Sequence, residues 1–362
     1  MRSEQPVTRL SHQRVKGLHR PPRIGGTTVD AVAPIGQKRE AIVLQKTSGS
    51  SARFRGLGVV VSVVIAGLAI FALMHALKNV DFDEVFAIVV RTDAGLIALA
   101  MALVATSYGS LTLYDLLALR TIGRSDVPYR IAALASFASY PIAHGFGAVA
   151  LISPVIRYRI YSHHGLRVFD VANICFLTGL TFWLGNLTAL GLSLLCDPTA
   201  ISLIDYLPPE VNRWLAVALL LGLVAFLVWS WHSPRSLVLR RWPIRLPSGP
   251  VVLLQIAIGI VDLGAAALAM YVLIPSGTDI GVFRLITVFV AATLLGFASH
   301  VPAGIGVFDA AILIGLGDEN KEPLIAGLLM FRFVYHFLPF LIALALFGAV
   351  EGWRSLRAKP QL

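Results

Sequence analysis

The sequence is poor in charged residues, which make up 14% of its 362 residues, whereas soluble domains contain about 25%. Apolar residues make up 57%, and the mean hydropathy is +0.77. So few charges cannot cover the surface of a water-soluble protein of this size. The scarcity of charge therefore excludes a soluble enzyme and predicts an all-α polytopic membrane protein.

Cysteines and catalytic motifs are also scarce. Cys175 and Cys196 flank one apolar run; on a single helix they would lie about 30 Å apart, too far for a disulfide. The sequence contains no P-loop, no Gly-x-Ser-x-Gly and no His-Glu-x-x-His, the usual marks of ATPases, hydrolases and metalloproteases. We therefore expect no cofactor, no metal site and no catalytic residue, and expect any transport to be passive, ion-driven or dependent on a partner.

The chain divides into a basic tail, an apolar region and a short second tail. Residues 1–56 contain eleven Lys and Arg against three acidic residues, with frequent Pro, Gly, Ser and Thr. This composition predicts a disordered cytoplasmic tail, with binding to anionic inner-leaflet lipid as an alternative role. Residues 57–349 are the predicted transmembrane domain, and residues 350–362 are a predicted cytoplasmic tail.

Eight apolar runs lie within the transmembrane region, and most reach the roughly 20 residues that span a bilayer. Their bounds are 57–77, 94–118, 131–153, 170–195, 213–231, 250–274, 284–316 and 323–349. The third and seventh runs are interrupted, at Pro141, Gly145 and Gly147 and at Pro302, Gly304 and Gly306. Broken helices are tolerated at membrane depth where the freed backbone groups face protein or a cavity.

Lys and Arg favour the cytoplasmic side of a membrane, and this rule separates two topologies. If all eight runs crossed, the Arg-rich loops 154–169 and 232–249 would lie outside. If the two broken runs are re-entrant hairpins, these loops and both termini lie inside. Cytoplasmic segments then carry 24 Lys and Arg and five acidic residues. External segments carry five Lys and Arg and eleven acidic residues. We therefore prefer six spanning helices and two hairpins, the first entering from the cytoplasm and the second from outside, with eight full spans as the alternative.

The two broken runs resemble each other. Both read Phe-Ala-Ser, then Pro, then Gly-x-Gly, beginning at Phe137 and Phe297. The runs that begin at positions 57, 94 and 170 have counterparts that begin at 213, 250 and 323. This spacing predicts an inverted repeat of halves 57–195 and 213–349, a plan in which many transporters place their site at the bilayer midplane.

Charged residues inside the apolar runs are the first candidates for binding residues, because a charge there is costly and usually paired or functional. Arg332 lies about ten residues into the last run and either pairs with Asp309 or Asp262 or binds an anionic headgroup, because guanidinium binds phosphate in a bidentate manner. Asp309 could neutralise Arg332, receive a proton or bind an amine, or it could simply cap the helix that follows the break. Asp262 is a second candidate on the transport pathway, and Tyr335 could hydrogen-bond Arg332.

The broken runs and the segment after the first one supply further candidates. Gly304 and Gly306 would free backbone N–H groups at a helix N-terminus, which attracts anions. Arg157 and Arg159 follow the first broken run and either anchor the topology or gather headgroup phosphates at the cytoplasmic surface. Two histidines lie at similar depth in the broken runs and serve either as packing residues or as a proton relay: His144 and His300.

Three segments together resemble the lysylphosphatidylglycerol synthase transmembrane-region family. Arg157-Tyr158-Arg159-Ile160-Tyr161, followed by Gly165, is similar to its RYRxY…G signature. Residues 302–309 are similar to its PGGIGVFE motif, with Ala303 in place of a glycine and Asp309 in place of the glutamate. The set Arg332, Tyr335 and Pro339 is similar to its terminal R…Y…P helix. The resemblance covers about residues 55–355.

In the multiple peptide resistance factors of that family, this region is the flippase part, which moves aminoacylated phosphatidylglycerol outward, and a separate soluble domain makes the lipid. The resemblance implies a multi-pass protein of the bacterial cytoplasmic (inner) membrane that transports phospholipid-type substrates and has membrane lipids with anionic headgroups as partners. No part of the chain resembles the synthase domain, so we expect a non-enzyme, with a separate lipid-modifying enzyme as a further partner. The basic charge follows the topology and gives no reason to expect nucleic acid as a partner.

Two other functions stay open at this stage. The chain could be a membrane-embedded transferase on a lipid-linked substrate, with Asp262, Asp309 or His300 as the acid or base. It could instead be a non-catalytic scaffold of an envelope-lipid enzyme, with the basic tail as its contact site.

Overall fold

The computed structural model describes residues 74, 81–147, 149–232, 236–239, 242–275, 280–317 and 321–357. The predicted tail 1–56 lies outside the described residues, as does the predicted span 57–77 except for Met74. Within the described residues the chain is almost entirely helical.

The first part of the chain forms a short amphipathic helix, a long helix, a broken pair and a second long helix. These are α1 (Phe82–Arg91), α2 (Ala94–Thr121), α3 (Tyr129–Gly145), α4 (Val149–Tyr161) and α5 (Val168–Cys196). Aspartates cap the first two, because an Asp side chain can accept from the unpaired N–H groups of a first turn. Asp93, for example, accepts from the backbone of Gly95 at 2.7 Å.

The second part begins with a one-turn helix and one long helix. It then repeats the order of a long helix, a broken pair and a long helix. Its elements are α6 (Ser202–Asp205), α7 (Pro209–His232), α8 (Gly249–Leu273), α9 (Val282–Ser299), α10 (Val307–Leu316), α11 (Glu322–Phe331) and α12 (Leu338–Arg357). A 3₁₀ turn at Pro302–Gly304 separates α9 from α10, and a π-helical turn at Arg332–Phe337 joins α11 to α12.

Five predicted spans are confirmed as long helices, namely 94–118, 170–195, 213–231, 250–274 and 323–349. In the described part of the chain, six helices are long and apolar enough to cross a membrane. They are Ala94–Thr121, Val168–Cys196, Pro209–His232, Gly249–Leu273, Val282–Ser299 and Glu322–Trp353. Five of these are the predicted spans. The sixth, Val282–Ser299, is the first limb of the second broken run.

The all-α prediction needs one small correction. A two-stranded antiparallel hairpin, β1 (Ser236–Leu239) and β2 (Trp242–Arg245), connects α7 to α8. Arg245 at its end donates to the backbone carbonyl of Ile122, at the C-terminal end of α2, at 3.0 Å. The Arg-rich connection is thereby attached to the helical domain.

The first broken run forms two helices whose outer ends meet. Arg124, just before α3, donates to the backbone carbonyl of His164, just after α4, at 2.6 Å. The same guanidinium binds Asp126 at 2.9 Å, which lowers the pKa of that exposed carboxyl. The two ends of the first broken run therefore lie next to each other. The predicted loop 154–169 is wrong in its first half, because α4 continues to Tyr161.

The second broken run is arranged in the same way. Arg284, near the start of α9, donates to the backbone carbonyl of Gly315, near the end of α10, at 3.1 Å. The break falls at residues 300–306, where the sequence predicted it. Both broken runs thus bring their outer ends together. Entry of each run from one side of the membrane, as a re-entrant hairpin, stays a prediction.

The two breaks touch each other in the interior of the domain. Gly147, in the first break, has a φ of +71°, and a Cβ atom added to it would lie 2.6 Å from the backbone nitrogen of Pro302 in the second. A residue without a side chain is needed there, both for this approach and for the left-handed backbone. The junction of the breaks is therefore a close backbone contact.

Helices of the first part of the chain pack against helices of the second part. Corresponding helices α2 and α8 pack against each other, α3 packs on α12, and α9 packs on α5. Gly185 and Gly259 lie at the α5–α8 crossing, where an added Cβ on either would come within 2.7 Å of the other's backbone. A twofold repeat would give this arrangement. The inverted repeat itself stays a prediction.

Surface labelling tests the predicted topology. Cys196 is exposed at the end of α5, and the hairpin topology places it outside the cell. We expect a membrane-impermeant maleimide to label it in right-side-out vesicles, and to label Cys175, which is half-buried, far less. In a Cys196→Ser background, a His163→Cys substitution should be labelled only after permeabilisation. Labelling of position 163 from outside, with protection of Cys196, is the pattern expected of eight full spans.

Candidate functional site

An arginine closes over the second break. Arg332, at the first position of the π-helical turn, donates from Nε to Asp309 Oδ1 at 2.8 Å and from Nη1 to the backbone carbonyl of Ala303 at 2.6 Å. Its Nη2 also lies 2.8 Å from Asp309 Oδ1. The guanidinium sits 5.1 Å from the ring centre of Phe308. Of the two carboxylates considered as its partner, Asp309 is the one that it contacts.

The backbone of the break explains why this carboxylate is there. Gly304 and Gly306 have φ of +61° and +84°, conformations that suit glycine. Asp309 Oδ2 accepts the backbone N–H of Gly306 at 2.8 Å and so caps α10. The anion that the freed N–H groups were expected to attract is therefore the protein's own Asp309.

A second arginine–aspartate pair lies between α4 and α2. Arg157 Nη2 donates to Asp115 Oδ1 at 2.8 Å, and its Nε lies 3.0 Å from Oδ2. Tyr161 donates to the same carboxylate at 2.7 Å, and Arg157 also donates to Ser153. The Asp115 side chain is fully buried. The prediction of a surface position for Arg157 is therefore wrong, because α4 turns this side chain inward.

Arg159, two residues further on, points the other way. Its Nε donates to Glu351 of α12 at 2.5 Å, and 62% of its side chain is exposed. The two arginines of the motif thus have different environments. Among the described residues, the guanidinium of Arg159 lies at the surface and that of Arg157 is buried.

A small inner cavity of about 50 Å³ lies beside the junction of the breaks. Its walls come from both broken runs, α5, α8 and the π-helical turn, and the polar and aromatic residues among them include Tyr140, His144, Asn186, Asp262, Thr293, Phe297, Tyr335 and His336. Arg332 does not line it. Since one water molecule needs about 10–15 Å³ by this measure, the cavity has room for a few waters.

Asp262 is the acidic residue of the inner cavity. It is buried, and it accepts hydrogen bonds from Ser107 at 2.5 Å and from Tyr114 at 2.9 Å. Ser107 also lies 3.1 Å from the hydroxyl of Tyr335. Tyr335 is thus a neighbour of Asp262 through Ser107, although the sequence suggested a bond to Arg332.

The two predicted histidines differ in depth, contrary to expectation. His144 stacks on His336 with ring centres 5.6 Å apart, and both Nδ1 atoms are buried with no hydrogen-bond partner in the described part of the chain. His300 instead is exposed, with its Nδ1 2.9 Å from the carbonyl of Ala298. The left-handed φ of +56° at His300 turns the chain away from the helix axis.

A larger lateral cavity of about 370 Å³ lies between α2, the first broken run and α5. Its walls are mostly apolar and aromatic, and Arg157, Ser153 and Tyr114 are among its polar residues. Three aromatic side chains line both cavities and separate them: Tyr140, Phe182 and Phe297. The rings of Phe182 and Phe297 are 4.5 Å apart.

The described residues contain no group of three or more His, Cys, Asp or Glu placed to hold a metal ion. In their interior they contain two arginine–aspartate pairs, the buried carboxyl of Asp262 without a cation within 4.0 Å, and a pair of imidazoles with buried Nδ1 atoms. This combination is suited to binding polar or charged groups inside a membrane. The fold and the site together define a multi-pass helical membrane protein with a polar interior.

Comparison with known proteins narrows this class. The uncharacterized protein slr0712 of Synechocystis sp. is 27% identical over 295 residues, 81% of this chain and 91% of its own length. The inner membrane protein YbhN of Escherichia coli is 28% identical over 307 residues, 82% and 92% of the two lengths. No protein-family model matches the chain.

The phosphatidylglycerol lysyltransferase of Staphylococcus xylosus matches in part. It is 28% identical over 214 residues, which is 56% of this chain but 23% of the enzyme. Together the matches confirm the resemblance drawn from the motifs. The chain is therefore similar to YbhN and slr0712 over most of its length, and to a part of the phosphatidylglycerol lysyltransferase over about half of its length.

Several residues of the site were not predicted from the sequence. Asp115 was not recognised as the partner of Arg157, and the hydroxyls of Ser107 and Tyr114 were not connected with Asp262. One signal was available for the first: a buried charge in an apolar helix needs a partner of opposite sign. Ser and Tyr hydroxyls carry no such signal, because they are common in any helix.

Ala303 offers a test of the break geometry. Its φ of +51° is left-handed, and this conformation costs a residue with a Cβ atom about 1–2 kcal/mol. We therefore expect Ala303→Gly to stabilise the protein by about 1 kcal/mol, measured by thermal unfolding in detergent. Ala310→Gly, in regular helix, should destabilise it by about 1 kcal/mol. Equal destabilisation by both substitutions would contradict the backbone described for the break.

The Arg157–Asp115 pair should contribute to folding. Asp115→Asn leaves a buried guanidinium without its counter-charge, a change that costs about 3–5 kcal/mol. The midpoint of unfolding in detergent should therefore fall strongly in Asp115→Asn. Arg159→Met, which removes an exposed ion pair, should lower the free energy of unfolding by about 1 kcal/mol or less. Equal effects would show that Arg157 is not the buried member of the motif.

Proposed function

We propose that this protein is an inner-membrane lipid transporter that lets the headgroup of a phospholipid cross between leaflets, without an ATPase of its own. One observation carries the proposal, the lateral cavity between α2, α4 and α5. Its volume of about 370 Å³ lies within the range of about 300–1,000 Å³ usual for ligand pockets. An apolar wall with a few polar groups suits a lipid, whose chains and headgroup need different surroundings.

Arg157 supplies the anion-binding group of this cavity. A guanidinium has five N–H donors, and the contacts to Asp115 and Ser153 use three of them, one on each nitrogen. A phosphate oxygen in the cavity would accept from the other N–H groups, and hydrogen bonds between charged groups are the strong ones. We therefore assign the first contact with the phosphate to Arg157, next to Ser153.

The inner cavity is the next stage of the path. Its volume of about 50 Å³ is too small for a phosphoglycerol headgroup, so passage requires movement of the aromatic wall formed by Tyr140, Phe182 and Phe297. The broken runs give the means, since transporters of inverted-repeat type work by rocking such elements around a central site. Arg332 and Asp309 lie at this junction, and opening their pair would offer the arginine to the phosphate.

The relatives favour a phosphatidylglycerol-type substrate. The lysyltransferases are named for an activity on phosphatidylglycerol, and their match with this chain covers a membrane region. We extend the lipid class to this chain, with phosphatidylglycerol and its aminoacylated forms as the substrates to examine first. The charge distribution supports cytoplasmic N and C termini and entry of the headgroup from the inner leaflet, where the hairpin topology would place the base of the first broken run.

The lateral cavity can be filled without disturbing the fold. Gly179 of α5 lines it, and a Cβ added there meets nothing within 4 Å. We expect Gly179→Phe to reduce movement of a fluorescent phosphatidylglycerol analogue in proteoliposomes to the rate of protein-free vesicles. Gly222→Phe, on the outer face of α7 where a Cβ also meets nothing, is the matched control and should transport like the wild type.

The role of the second pair is tested in the same assay. Arg332→Ala should abolish transport while the purified variant stays folded and monodisperse. Unchanged transport in Arg332→Ala would remove this arginine from the path. Unchanged transport in Gly179→Phe would show that the lateral cavity is not the route, and would reject the proposed function.

A further inference from the structure

Asp262 stands apart from the other intramembrane carboxylates. Asp115 and Asp309 each pair with an arginine, whereas no Lys, Arg or His nitrogen in the described part of the chain lies within 4.0 Å of Asp262. Both of its oxygens are instead hydrogen-bonded to hydroxyls. An uncompensated charge in an apolar interior is costly, so this carboxyl needs a cation.

The surroundings select the cation. Sodium or a larger ion requires several oxygen ligands, whereas in the described part of the chain two hydroxyls are hydrogen-bonded to the carboxylate, at 2.5 Å and 2.9 Å. A proton requires no further ligand, because it binds one oxygen of the carboxyl. The adjacent cavity has room for the few water molecules that would deliver it.

The other titratable groups around the cavity are these. Tyr140 and His144 face it from α3, Tyr335 and His336 from the π-helical turn, and the neutral Asn186 and Thr293 from α5 and α9. Behind this wall, Tyr114 and Tyr108 of α2 donate to Asp262 and to the backbone carbonyl of Tyr335. Arg332 is near but is bound to Asp309. The two imidazoles line the same cavity as Asp262, and their buried Nδ1 atoms have no hydrogen-bond partner in the described part of the chain, so they are bases that can pass a proton on.

Hydrogen bonds connect Asp262 to the π-helical turn. When Asp262 is ionised, it accepts a hydrogen bond from the Ser107 hydroxyl, and the oxygen of Ser107 then accepts one from the Tyr335 hydroxyl. As an acid it can donate to Ser107, and Ser107 then donates to Tyr335. Tyr108 meanwhile binds the backbone carbonyl of Tyr335 at 2.9 Å. A proton on Asp262 therefore reverses the hydrogen bonds that hold the turn carrying Arg332, and π-helical turns are frequent at functional sites.

We propose that Asp262 is a proton-binding site and that its protonation and deprotonation drive the lipid movement. An O–H bond forms when a proton enters the inner cavity and binds the carboxylate; it breaks when the proton leaves toward the other side. Nothing is oxidised or reduced, and the energy is that of the proton gradient. This inference rests on the proposed function only for its coupling to lipid.

Proton binding is tested without any transport. Infrared difference spectra of the purified protein between neutral and acidic pH should show, separate from the band of the exposed carboxyl groups, the C=O band of a carboxylic acid shielded from water. The band should be absent in Asp262→Asn and retained in Asp126→Asn, which removes an exposed carboxylate. If Asp262→Asn does not fold, Asp262→Glu should move the band and its midpoint. A band unchanged by substitution of position 262 overturns the proton site.

Coupling is tested in proteoliposomes that contain a fluorescent phosphatidylglycerol analogue and an imposed pH gradient. With one proton moved per lipid, a gradient of one pH unit should shift the distribution of the lipid between leaflets by up to about tenfold. Asp262→Asn should leave it unaffected by the gradient. A distribution that follows a sodium gradient at fixed pH, or ignores both gradients in the wild type, overturns the coupling. Absence of lipid movement under all conditions rejects the proposed function and leaves the infrared result standing.

Discussion

The interior of this protein depends on one constraint, that a charge inside an apolar domain must have a partner of opposite sign. Arg332 and Arg157 would each be costly in a membrane if alone, and each has an aspartate at 2.8 Å. The pairs also bind elements together. Arg332 joins the last helix to the second break, and Arg157 joins the first broken run to α2. The pairs therefore hold the two broken runs against neighbouring helices.

The breaks depend in turn on backbone hydrogen bonding. A helix interrupted at Pro302 exposes N–H and carbonyl groups that lipid cannot satisfy. Here Asp309 accepts the N–H of Gly306, and Arg332 donates to the carbonyl of Ala303. The broken backbone is thus stabilised by the same residues that neutralise each other. The result is irregular structure in the interior, beside cavities that a regular bundle would not contain.

Much of this arrangement could be predicted from the amino-acid sequence. Apolar runs of spanning length predicted five long helices within a few residues, and Pro302 with Gly304 and Gly306 predicted the second break. The intramembrane Arg332 and Asp309 were predicted as one of two alternative pairs. These signals are local or nearly so, because they depend on hydropathy, on residues that break helices and on charges that need partners.

The remaining features depend on long-range packing. Arg157 was placed in a surface loop because a basic residue after an apolar run usually lies there; only the extension of α4 against α2 turns it toward Asp115. His144 and His300 occupy similar positions along their runs, yet the left-handed backbone at His300 exposes that residue, whereas His144 stacks on His336 of the π-helical turn and its Nδ1 atom is buried. The cavities arise between helices far apart in sequence, so no motif marks them.

The most direct measurement is a high-resolution structure of the protein in a nanodisc of phosphatidylglycerol. The lateral cavity is predicted to hold a lipid whose phosphate lies within hydrogen-bond distance of Arg157 or Ser153, with its chains leaving between α2 and α5. A cavity filled only by acyl chains, with all phosphates at the membrane surface, would contradict the lipid path described for this protein.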